Sequence, residues 1–239
     1  MRGERSARLE CRRSGDEIWR TCTRSILLIV NRDIPSATVA RLPIYLRSLG
    51  DLGASEGTCS SDRLAEIAGV NPAQVRKDLS HLGTRGTRGV GYKVAELLVE
   101  LRAALGLTQG YAVAVVGAGN LGTALANYKG FEPWGFQLSA VFDSEKSKIG
   151  DPGDGLVVED IEDLDRIVKE RRIVIGIVAT PTEAAQDVAD RLVAAGIKSI
   201  LNLAPAVLRV PEDVEVRRVD LSTELQILTF HLSKTELVS

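Results

Sequence analysis

The sequence predicts an α/β protein in which a small, mostly helical N-terminal domain precedes a larger domain built on a parallel sheet. Residues 34–106 hold short amphipathic helical patterns and a glycine- and arginine-rich segment, which is typical of a winged helix-turn-helix. Residues 107–219 alternate apolar strand-like runs with helical patterns, and this alternation predicts a parallel sheet covered by helices. A last helical pattern occupies residues 220–239.

The second domain is organised around the stretch from Tyr111 to Gly122. A run of β-branched and small apolar residues stops at three glycines in the pattern G-x-G-x-x-G, and a helical pattern follows. This order predicts the strand, tight turn and helix start of a Rossmann-type dinucleotide-binding unit. A purely structural glycine turn is the alternative. The expected cofactor-binding residues of the turn are Gly117, Ala118, Gly119, Asn120, Leu121 and Gly122.

A second apolar strand pattern, Leu138 to Phe142, ends in Asp143. An acidic residue at this place, roughly 20 residues beyond the glycines, binds ribose hydroxyls in dinucleotide-binding units. Its carboxylate also repels a 2′-phosphate. We therefore expect Asp143 to select NAD and NADH over NADP and NADPH.

Further strand patterns occur at Leu156–Val158, Ile173–Val178, Lys198–Leu203 and Val214–Val219, with helical patterns at Ile161–Val168 and Glu183–Ala195. The last helical pattern repeats leucines at spacings of four, three and four residues, at Leu221, Leu225, Leu228 and Leu232. Such a stripe either packs in the core of its own subunit or inserts into a partner subunit, and the pattern does not choose between the two.

The composition is that of a soluble globular protein, with 44% hydrophobic and 26% charged residues among 239. The net charge of −2 hides an asymmetry. Residues 106–239 hold 13 Lys and Arg against 20 Asp and Glu, whereas residues 38–105 hold 9 against 7. The acidic C-terminal part is therefore an unfavourable surface for nucleic acid, and the N-terminal part remains eligible.

The three cysteines, Cys11, Cys22 and Cys59, form neither a C-x-x-C motif nor a zinc-binding spacing. We expect no metal and a reducing, cytoplasmic location. The apolar run of residues 26–30 is too short for a signal peptide or a membrane span, so we expect no membrane partner. Residues 1–33 are predicted to be a poorly ordered extension, with an added strand or a partner-binding arm as the alternative.

The N-terminal domain contains a predicted helix-turn-helix. Its first helical pattern runs from Val39 to Leu49, and Pro43 predicts either a kink or a late helix start near Val39. A second helix is predicted from a cap at Ser60 or Ser61, and it ends at Gly69. Residues 71–72, Asn-Pro, then open a third helix, which a glycine closes at position 83.

The third helix is the expected DNA-recognition helix. Its apolar residues lie on one side, and Lys77 points almost directly away from them, flanked by Gln74, Arg76 and His81. Amide, guanidinium and ammonium groups suit major-groove bases and phosphates. The alternative is an ordinary solvated face that includes Asp78. Two arginines off the apolar stripe of the first helix, Arg41 and Arg47, are further candidates.

The segment of residues 83–92 follows the third helix and contains four glycines, two arginines and no acidic residue. We predict that it is the wing, with Arg85 or Arg88 reaching a phosphate or the minor groove. A second nucleotide-binding glycine loop is the rival interpretation, and it fails because no apolar strand leads into the segment.

Several stretches together resemble the redox-sensing transcriptional repressors of the Rex family. The most specific is the run from Gln74 to Tyr92, joined to the glycine turn of residues 117–122. The other matching stretches are Ala40-Arg41-Leu42-Pro43, Tyr45-Leu46-Arg47, Tyr128 with Gly130-Phe131, Ala179-Thr180-Pro181, Ala194-Ala195-Gly196-Ile197 and Asn202-Leu203-Ala204-Pro205. The resemblance covers residues 34–235 and excludes residues 1–33.

The resemblance implies a homodimer with one winged-helix domain and one NAD(H) site on each chain, and a C-terminal helix, residues 220–239, swapped into the partner. It implies that the dimer binds palindromic double-stranded operator DNA. NAD⁺ permits this binding, and NADH releases the DNA. It adds Thr180 and Pro181 to the cofactor-binding residues. One departure is Leu221, where a member of the family has an aromatic residue beside the nicotinamide.

The resemblance also points to Arg47, Tyr128 and Asp220 as the switch. We hypothesise that Asp220 of the swapped helix pairs with Arg47 or Tyr128 in the DNA-competent state. The alternative without a switch is that Tyr128 packs in the core and Asp220 only caps the last helix.

The alternative function is an NAD-dependent oxidoreductase with an accessory N-terminal domain. Hydride transfer to a substrate normally needs a positioned acid or base. The two histidines are His81, on the presumed DNA helix, and His231, near the C-terminus, and no tyrosine precedes a lysine by four residues. A cofactor-binding scaffold subunit is a third possibility, but it leaves the wing arginines unexplained. We therefore expect a sensor and not an enzyme.

Overall fold

The computed structural model describes residues 34–52, 57–150 and 156–236. The chain forms two compact units that divide between Gln109 and Gly110, and each unit is described by itself below. The predictions for residues 1–33 lie outside the described residues.

Unit 1, residues up to Gln109, is a helical domain with a two-stranded ribbon. Strands β1 and β2 pair antiparallel, with Thr58 opposite Lys93 and Cys59 opposite Tyr92. In chain order the elements are α1 (Ser36–Val39), α2 (Leu42–Leu52), β1 (Thr58–Cys59), α3 (Ser61–Ala68), α4 (Pro72–Leu82), β2 (Tyr92–Lys93) and α5 (Val94–Ala104).

The ends of helices α3 and α4 are set by capping residues next to them in the chain. The Ser60 hydroxyl accepts a 3.1 Å hydrogen bond from the Arg63 amide at the start of α3, and the Asn71 side chain accepts one of 2.8 Å from Ala73 at the start of α4. Both helices end at glycines in the left-handed conformation. The first predicted helix is broken in two at residues 40–41, and Pro43 fits in the first turn of α2 because the amides there need no intrahelical partner.

The predicted apolar faces of unit 1 converge on one core. The α2 and α4 residues Leu42, Leu46, Val75 and Leu79 are at most 2% exposed. The wing, residues 83–92, closes through an antiparallel bridge between Thr87 and Gly91, directly before β2. The buried face of α4 thus packs in the core, and its outer face remains at the surface of unit 1.

Unit 2 is a six-stranded parallel sheet with helices, which confirms the predicted Rossmann-type α/β fold. The strand order is β5-β4-β3-β6-β7-β8, so the chain reverses direction across the sheet between β3 and β6. Ligands of such sheets bind at this reversal, beyond the carboxyl ends of the strands. The strands are β3 (Tyr111–Val116), β4 (Phe136–Asp143), β5 (Val158–Asp160), β6 (Ile173–Val178), β7 (Ser199–Asn202) and β8 (Glu215–Arg218).

The helices of unit 2 are α6 (Asn120–Ala126), α7 (Leu164–Glu170), α8 (Thr182–Ala194) and α9 (Leu221–Glu236), with 3₁₀ turns at Lys129–Trp134 and Ile161–Asp163. The strand predicted at Leu156–Val158 is found two residues later, as β5. Its acidic residues pair with cations, Glu159 with Arg171 and Asp160 with Lys146, so β5 accepts them in place of apolar side chains. The Asp160 side chain then caps the first 3₁₀ residues by accepting from the Glu162 amide.

The last helix, α9, leaves its apolar side chains uncovered by its own chain. The leucines of the predicted stripe, Leu221, Leu225, Leu228 and Leu232, are 57–65% exposed. The described residues therefore do not show the first alternative for this stripe, packing in the core of its own subunit. Among the helices described, none is long and apolar enough to cross a membrane.

Candidate cofactor and DNA-binding sites

The turn after β3 packs tightly against the turn after β6. Gly117 has a φ of +108°, and a methyl group on its Cα would lie 2.6 Å from the carbonyl oxygen of Ala179. A methyl group on Gly122 would overlap the Gly117 carbonyl. These two glycines are therefore required by the packing of the protein itself.

Gly119 differs from both of its neighbours in the motif. Its backbone has an ordinary φ of −84°, and a methyl group added to it would meet nothing within 4 Å. Neither conformation nor internal packing explains a glycine here. Close approach of a ligand to the backbone does explain it, as for a pyrophosphate at the second glycine of a dinucleotide-binding turn.

A cleft of about 710 Å³ opens over this turn. Its volume lies within the range of roughly 300–1,000 Å³ that is usual for small-molecule sites. The lining residues come from the glycine turn, from α6 and from the segment after β4. They are Ala118, Gly119, Asn120, Thr123, Ala124, Asn127 and Lys148.

Asp143 ends β4 with its side chain almost fully buried, and its carboxylate is tied to the glycine turn. Oδ2 accepts a 2.8 Å hydrogen bond from the Ala118 amide, and Oδ1 accepts one of 2.8 Å from the Glu145 amide. Burial raises the pKa of this carboxyl, but the two amides and the Lys148 ammonium outweigh burial and hold the pKa below its usual value. An ionised acceptor is thus fixed beside the cleft.

Lys148 is a residue of the cleft that sequence analysis missed. Its ammonium lies 3.2 Å from Oδ2 of Asp143 and 2.7 Å from Oε2 of Glu145. With the Ala118 and Glu145 amides, the Lys148 ammonium is the third donor to the Asp143 carboxylate. A lysine close after the ribose acid was the signal that could have found it.

Thr180 lies in the turn after β6, where α8 begins at Thr182 behind Pro181. Within residues 34–52, 57–150 and 156–236, its Oγ1 is the buried side-chain polar atom that has no hydrogen-bond partner. A buried hydroxyl without a partner is unusual in folded proteins, and it fits a polar group of a bound ligand. The open Gly119, the ionised Asp143 and the unsatisfied Thr180 together fit NAD or NADH.

The predicted DNA-contacting residues fall into two groups. Arg47, Lys77, Arg85 and Arg88 are exposed, and Arg76 is exposed while its Nη1 donates a 3.0 Å hydrogen bond to the Ser61 hydroxyl. In the described part of the chain, the Lys77 ammonium makes no ion pair. These side chains can reach a nucleic acid without first leaving a buried partner.

Arg41 and Gln74 form the second group, because both are bound to Asp78. Arg41 donates from Nε and Nη2 at 2.6 and 2.8 Å, and Gln74 donates from Nε2 at 2.8 Å. Asp78 is 0% exposed, so the solvated face considered for it in the sequence is wrong: the carboxylate points into unit 1, where its partners converge. Asp78 lies at the edge of the apolar face of α4, and this position in the sequence pattern could have indicated that it is buried.

Two further side chains complete the network of Asp78. Thr38 and Tyr45 donate from their hydroxyls at 2.9 and 2.7 Å. Burial raises the pKa of Asp78, but the hydrogen bonds, that of Arg41 first, outweigh burial and hold the pKa well below its usual value. Burial, with the hydrogen bond to Asp78, raises the pKa of Tyr45 to about 12.

The residues of the predicted switch lie in both units. In unit 2, Tyr128 is 58% exposed and meets Phe131 edge-to-face, with ring centroids 4.9 Å apart, so the core position considered for Tyr128 is wrong. Asp220 accepts from the Ser222 amide at 3.0 Å and from Arg218 Nη2 at 2.6 Å, which makes it the N-terminal cap of α9. The pairing of Asp220 with Arg47 or Tyr128 stays a prediction.

Comparison with known proteins places both units in known families. The family model described as "Putative DNA-binding protein N-terminus" matches residues 33–80, and the model described as "CoA binding domain" matches residues 108–206. The division between the two matches falls near the boundary of the two units.

Several relatives match the chain across most of its length. The chain is 56% identical over 202 residues to the redox-sensing transcriptional repressor Rex of Streptomyces griseus, a match that covers 84% of this chain and 80% of that protein. The chain belongs to the Rex family. The Rex of Desulforamulus reducens, 50% identical, matches 85% of this chain and 97% of its own length.

Solved structures of a Rex-family repressor called RSP have the same fold. The complex of RSP with β-NAD⁺ and operator DNA superposes with a TM-score of 0.80 at 40% identity, covering 86% of this chain and 95% of RSP. The complex of RSP with β-NADH gives 0.76 at 39% identity, covering 86% and 97%. The Rex relatives are named repressors, so the comparisons favour a sensor over an oxidoreductase.

Proposed function

We propose that this chain is a redox-sensing transcriptional repressor, which binds operator DNA in the presence of NAD⁺ and leaves it when NADH replaces NAD⁺. The observation that carries the proposal is the union, in one Rex-family chain, of a winged helix-turn-helix with a cleft over the glycine turn, beside an ionised Asp143. The occupancy of the operator then reports the ratio of NADH to NAD⁺ in the cytoplasm.

In this proposal the cofactor lies along residues 117–122, with its adenine ribose at Asp143 and its nicotinamide end toward Thr180 and Pro181. Gly119 admits the pyrophosphate, because its backbone carries no side chain on the side where the ligand approaches. The cofactor supplies a ring that differs between its two redox forms by one hydride and one positive charge. The protein senses that difference, and no substrate is transformed.

DNA recognition is assigned to unit 1, the winged helix-turn-helix. Arg76 and Lys77 contact the major groove from the exposed face of α4, with Gln74 beside them. The arginines of the wing, Arg85 and Arg88, contact phosphates or the minor groove. The two arginines near the start of unit 1, Arg41 and Arg47, contact the phosphate backbone.

The active form is a homodimer held through α9. The leucine stripe of α9 is more than half exposed in the single chain, and burial of apolar side chains of this size stabilises an interface by roughly 1.5–3 kcal/mol each. A dimer with two-fold symmetry reads a palindromic operator, since each half-site meets an identical recognition helix.

The switch couples the two sites through Arg47, Tyr128 and Asp220. Each redox form of the cofactor biases one of two arrangements of the dimer, and the bias equals the difference in its affinity for them. A hundredfold preference of NADH for the closed arrangement corresponds to about 2.7 kcal/mol. Asp220 serves in both arrangements, as the cap of α9 in one and as the partner of Arg47 or Tyr128 in the other.

The test is the selection of duplexes from a random-sequence pool by the full-length protein in excess NAD⁺. We expect a palindromic sequence that is retained in NAD⁺ and released as NADH is added. Retention of that sequence at every NADH concentration contradicts the sensor, and failure to select any sequence contradicts the repressor. Oxidation of NADH by the protein in the presence of small carbonyl compounds would instead favour the oxidoreductase.

A further inference from the structure

The carboxylate of Asp78 holds two residues that the proposed function places at the DNA. It accepts five hydrogen bonds from four side chains, at distances of 2.6–2.9 Å. The side chain of Asp78 is wholly buried, whereas Arg41 remains 26% exposed and Gln74 is partly exposed. The network therefore begins in the core of unit 1 and ends at its surface.

The chemistry of the carboxylate fixes the orientation of the Gln74 amide. An ionised carboxylate only accepts hydrogen bonds, so the amide must turn its Nε2 toward Asp78. The flipped amide would place Oε1 against a carboxylate oxygen. Nε2 has two hydrogens, and Asp78 takes one of them. Gln74 thus keeps one acceptor, Oε1, and one donor, the second N–H, for a partner outside the network.

Arg41 is held in the same way. Its Nε and Nη2 donate to the two oxygens of Asp78, which is the side-on, two-point geometry of a strong arginine–carboxylate pair. Nη1 keeps both of its N–H groups. The guanidinium is fixed with its free edge available, and its side chain loses little further freedom when it meets an anion.

We propose that Asp78 is a positioning residue for operator recognition, which presents Oε1 and one N–H of Gln74 to an adenine and the free edge of Arg41 to a phosphate. Adenine offers the matching pair in the major groove, the N6 amino group as donor and N7 as acceptor. The inference rests on the proposed contact between Gln74 and DNA. It adds the identity of the base and the residue that orients the amide.

The experiment repeats the duplex selection in excess NAD⁺ with the wild-type protein, Gln74→Ala, Asp78→Asn and the double variant. We expect the wild type to require adenine at one position of each half-site, and both single variants to lose that preference. The loss is roughly 5- to 150-fold, which corresponds to the 1–3 kcal/mol that a bidentate base contact discriminates. The double variant loses no more of the adenine preference than either single variant does, because Asp78 acts on that base only through Gln74.

Glu66→Gln is the matched control. Glu66 is an exposed carboxylate in α3 that pairs with Arg63, so the substitution removes the same charge from the same unit without touching the network. Its preference for adenine stays at the wild-type level. A merely structural role of Asp78 would lower the affinity for all sequences together and leave the ratio between adenine and the other bases unchanged.

Each outcome addresses a separate claim. A wild type that selects no sequence contradicts the proposed function itself. If Gln74→Ala keeps every base preference, Gln74 does not read a base and the inference is wrong, although the repressor function stands. If Gln74→Ala loses the adenine preference and Asp78→Asn keeps it, the positioning role of Asp78 alone is overturned.

A second measurement needs no variant at position 78, where loss of the carboxylate can unfold the unit. The side-chain NH₂ signals of Gln74 are assigned in the NMR spectrum by their absence in Gln74→Ala. We expect one of these protons to exchange slowly with water in the wild type, free and bound to operator. Exchange as fast as that of the exposed Gln137 in the operator complex shows that the amide has left Asp78 and overturns the proposal.

Discussion

The backbone amide of Ala118 donates a 2.8 Å hydrogen bond to Oδ2 of Asp143. The glycine turn and the end of the neighbouring strand are thereby locked together, and the acid stands ready beside the cleft before any cofactor arrives. Lys148 closes the arrangement with an ammonium 3.2 Å from the same oxygen. We expect the cofactor selectivity of the site to depend on the balance between the Asp143 carboxylate and the Lys148 ammonium.

Asp143→Asn is predicted to weaken the preference of the protein for NADH over NADPH. The wild-type carboxylate repels a 2′-phosphate, and the variant removes that repulsion while it leaves the Lys148 ammonium in place. We expect the affinity for NADPH to rise and that for NADH to fall, each measured by calorimetry on the purified protein. Equal affinities of the wild type for NADH and NADPH would show that Asp143 is not the ribose ligand.

Gly119→Ala and Gly122→Ala are predicted to fail in different ways. The methyl group that Gly119→Ala adds points into open space, so the variant folds as stably as the wild type but binds NAD⁺ and NADH more weakly. The methyl group that Gly122→Ala adds overlaps the Gly117 carbonyl, so that variant loses thermal stability without any cofactor present. Thermal unfolding with and without NADH separates the two. Unchanged NADH affinity in Gly119→Ala would place the pyrophosphate elsewhere.

The double variant Arg76→Ala, Lys77→Ala is predicted to lose operator affinity. Each lost base contact costs about 1–3 kcal/mol of discrimination, and each lost phosphate contact lowers the salt dependence of binding. Fluorescence anisotropy with labelled operator at several salt concentrations measures both effects. Arg102→Ala, an exposed arginine in the last turn of α5, is the control for loss of positive charge. Wild-type affinity in the double variant removes this face from the interface.

The features of the fold and of the two sites that depend on neighbouring residues could be predicted from the sequence. The caps at Ser60 and Asn71, the glycine turn and the acid at the end of β4 depend on residues close in the chain. The role of Asp78 could not be predicted in this way, because its partners lie up to 40 residues away and only the packed unit brings them together. Lys148 was missed although it follows Asp143 by only five residues, because a lysine in a loop is ordinarily solvated and its contact with Asp143 depends on the path of that loop.

Asp220→Ala is predicted to change the response of DNA binding to NADH. In the proposed switch, Asp220 pairs with Arg47 or Tyr128, so we expect its loss to shift the NADH concentration at which half of the operator is released, or to weaken DNA binding outright. The titration is made in fixed excess NAD⁺, with dimer integrity checked by sedimentation. Asp213→Ala, an exposed carboxylate paired with Lys198, is the control. A response identical to the wild type removes Asp220 from the switch.

Gly130→Ala tests the tyrosine of the same switch without altering it chemically. The ring of Tyr128 lies over Gly130, and a methyl group there would overlap the ring. Since Tyr128 is 58% exposed, the ring can turn outward without disturbing the core. We expect the NADH midpoint of Gly130→Ala to move in the same direction as that of Tyr128→Ala. A wild-type midpoint in both variants would leave Tyr128 outside the switch.

The stability of unit 1 is predicted to fall as the pH drops below about 4, partly through Asp78. The folded pKa of this carboxyl is depressed from the usual 3.8, so the unfolded chain takes up the proton first and acid favours unfolding. The stabilisation is fully present above the unfolded pKa. Thermal unfolding of the wild type and of Asp78→Asn, followed by circular dichroism from pH 7 to pH 2.5, should give a difference that shrinks with acid. A constant difference contradicts this prediction.

The close approach of Gly117 to Ala179 has a consequence for how the protein is made. The two turns belong to opposite halves of the sheet, and the chain between them contains α6, β4, β5, α7 and β6 with the two 3₁₀ turns. Contacts so distant in sequence form late in folding, because a long loop must close first. A nascent chain that ends before residue 180 therefore lacks one of the two turns of the proposed cofactor site. We expect a cofactor that contacts both turns to stabilise only the finished sheet, and so to protect newly synthesised protein once both turns have formed.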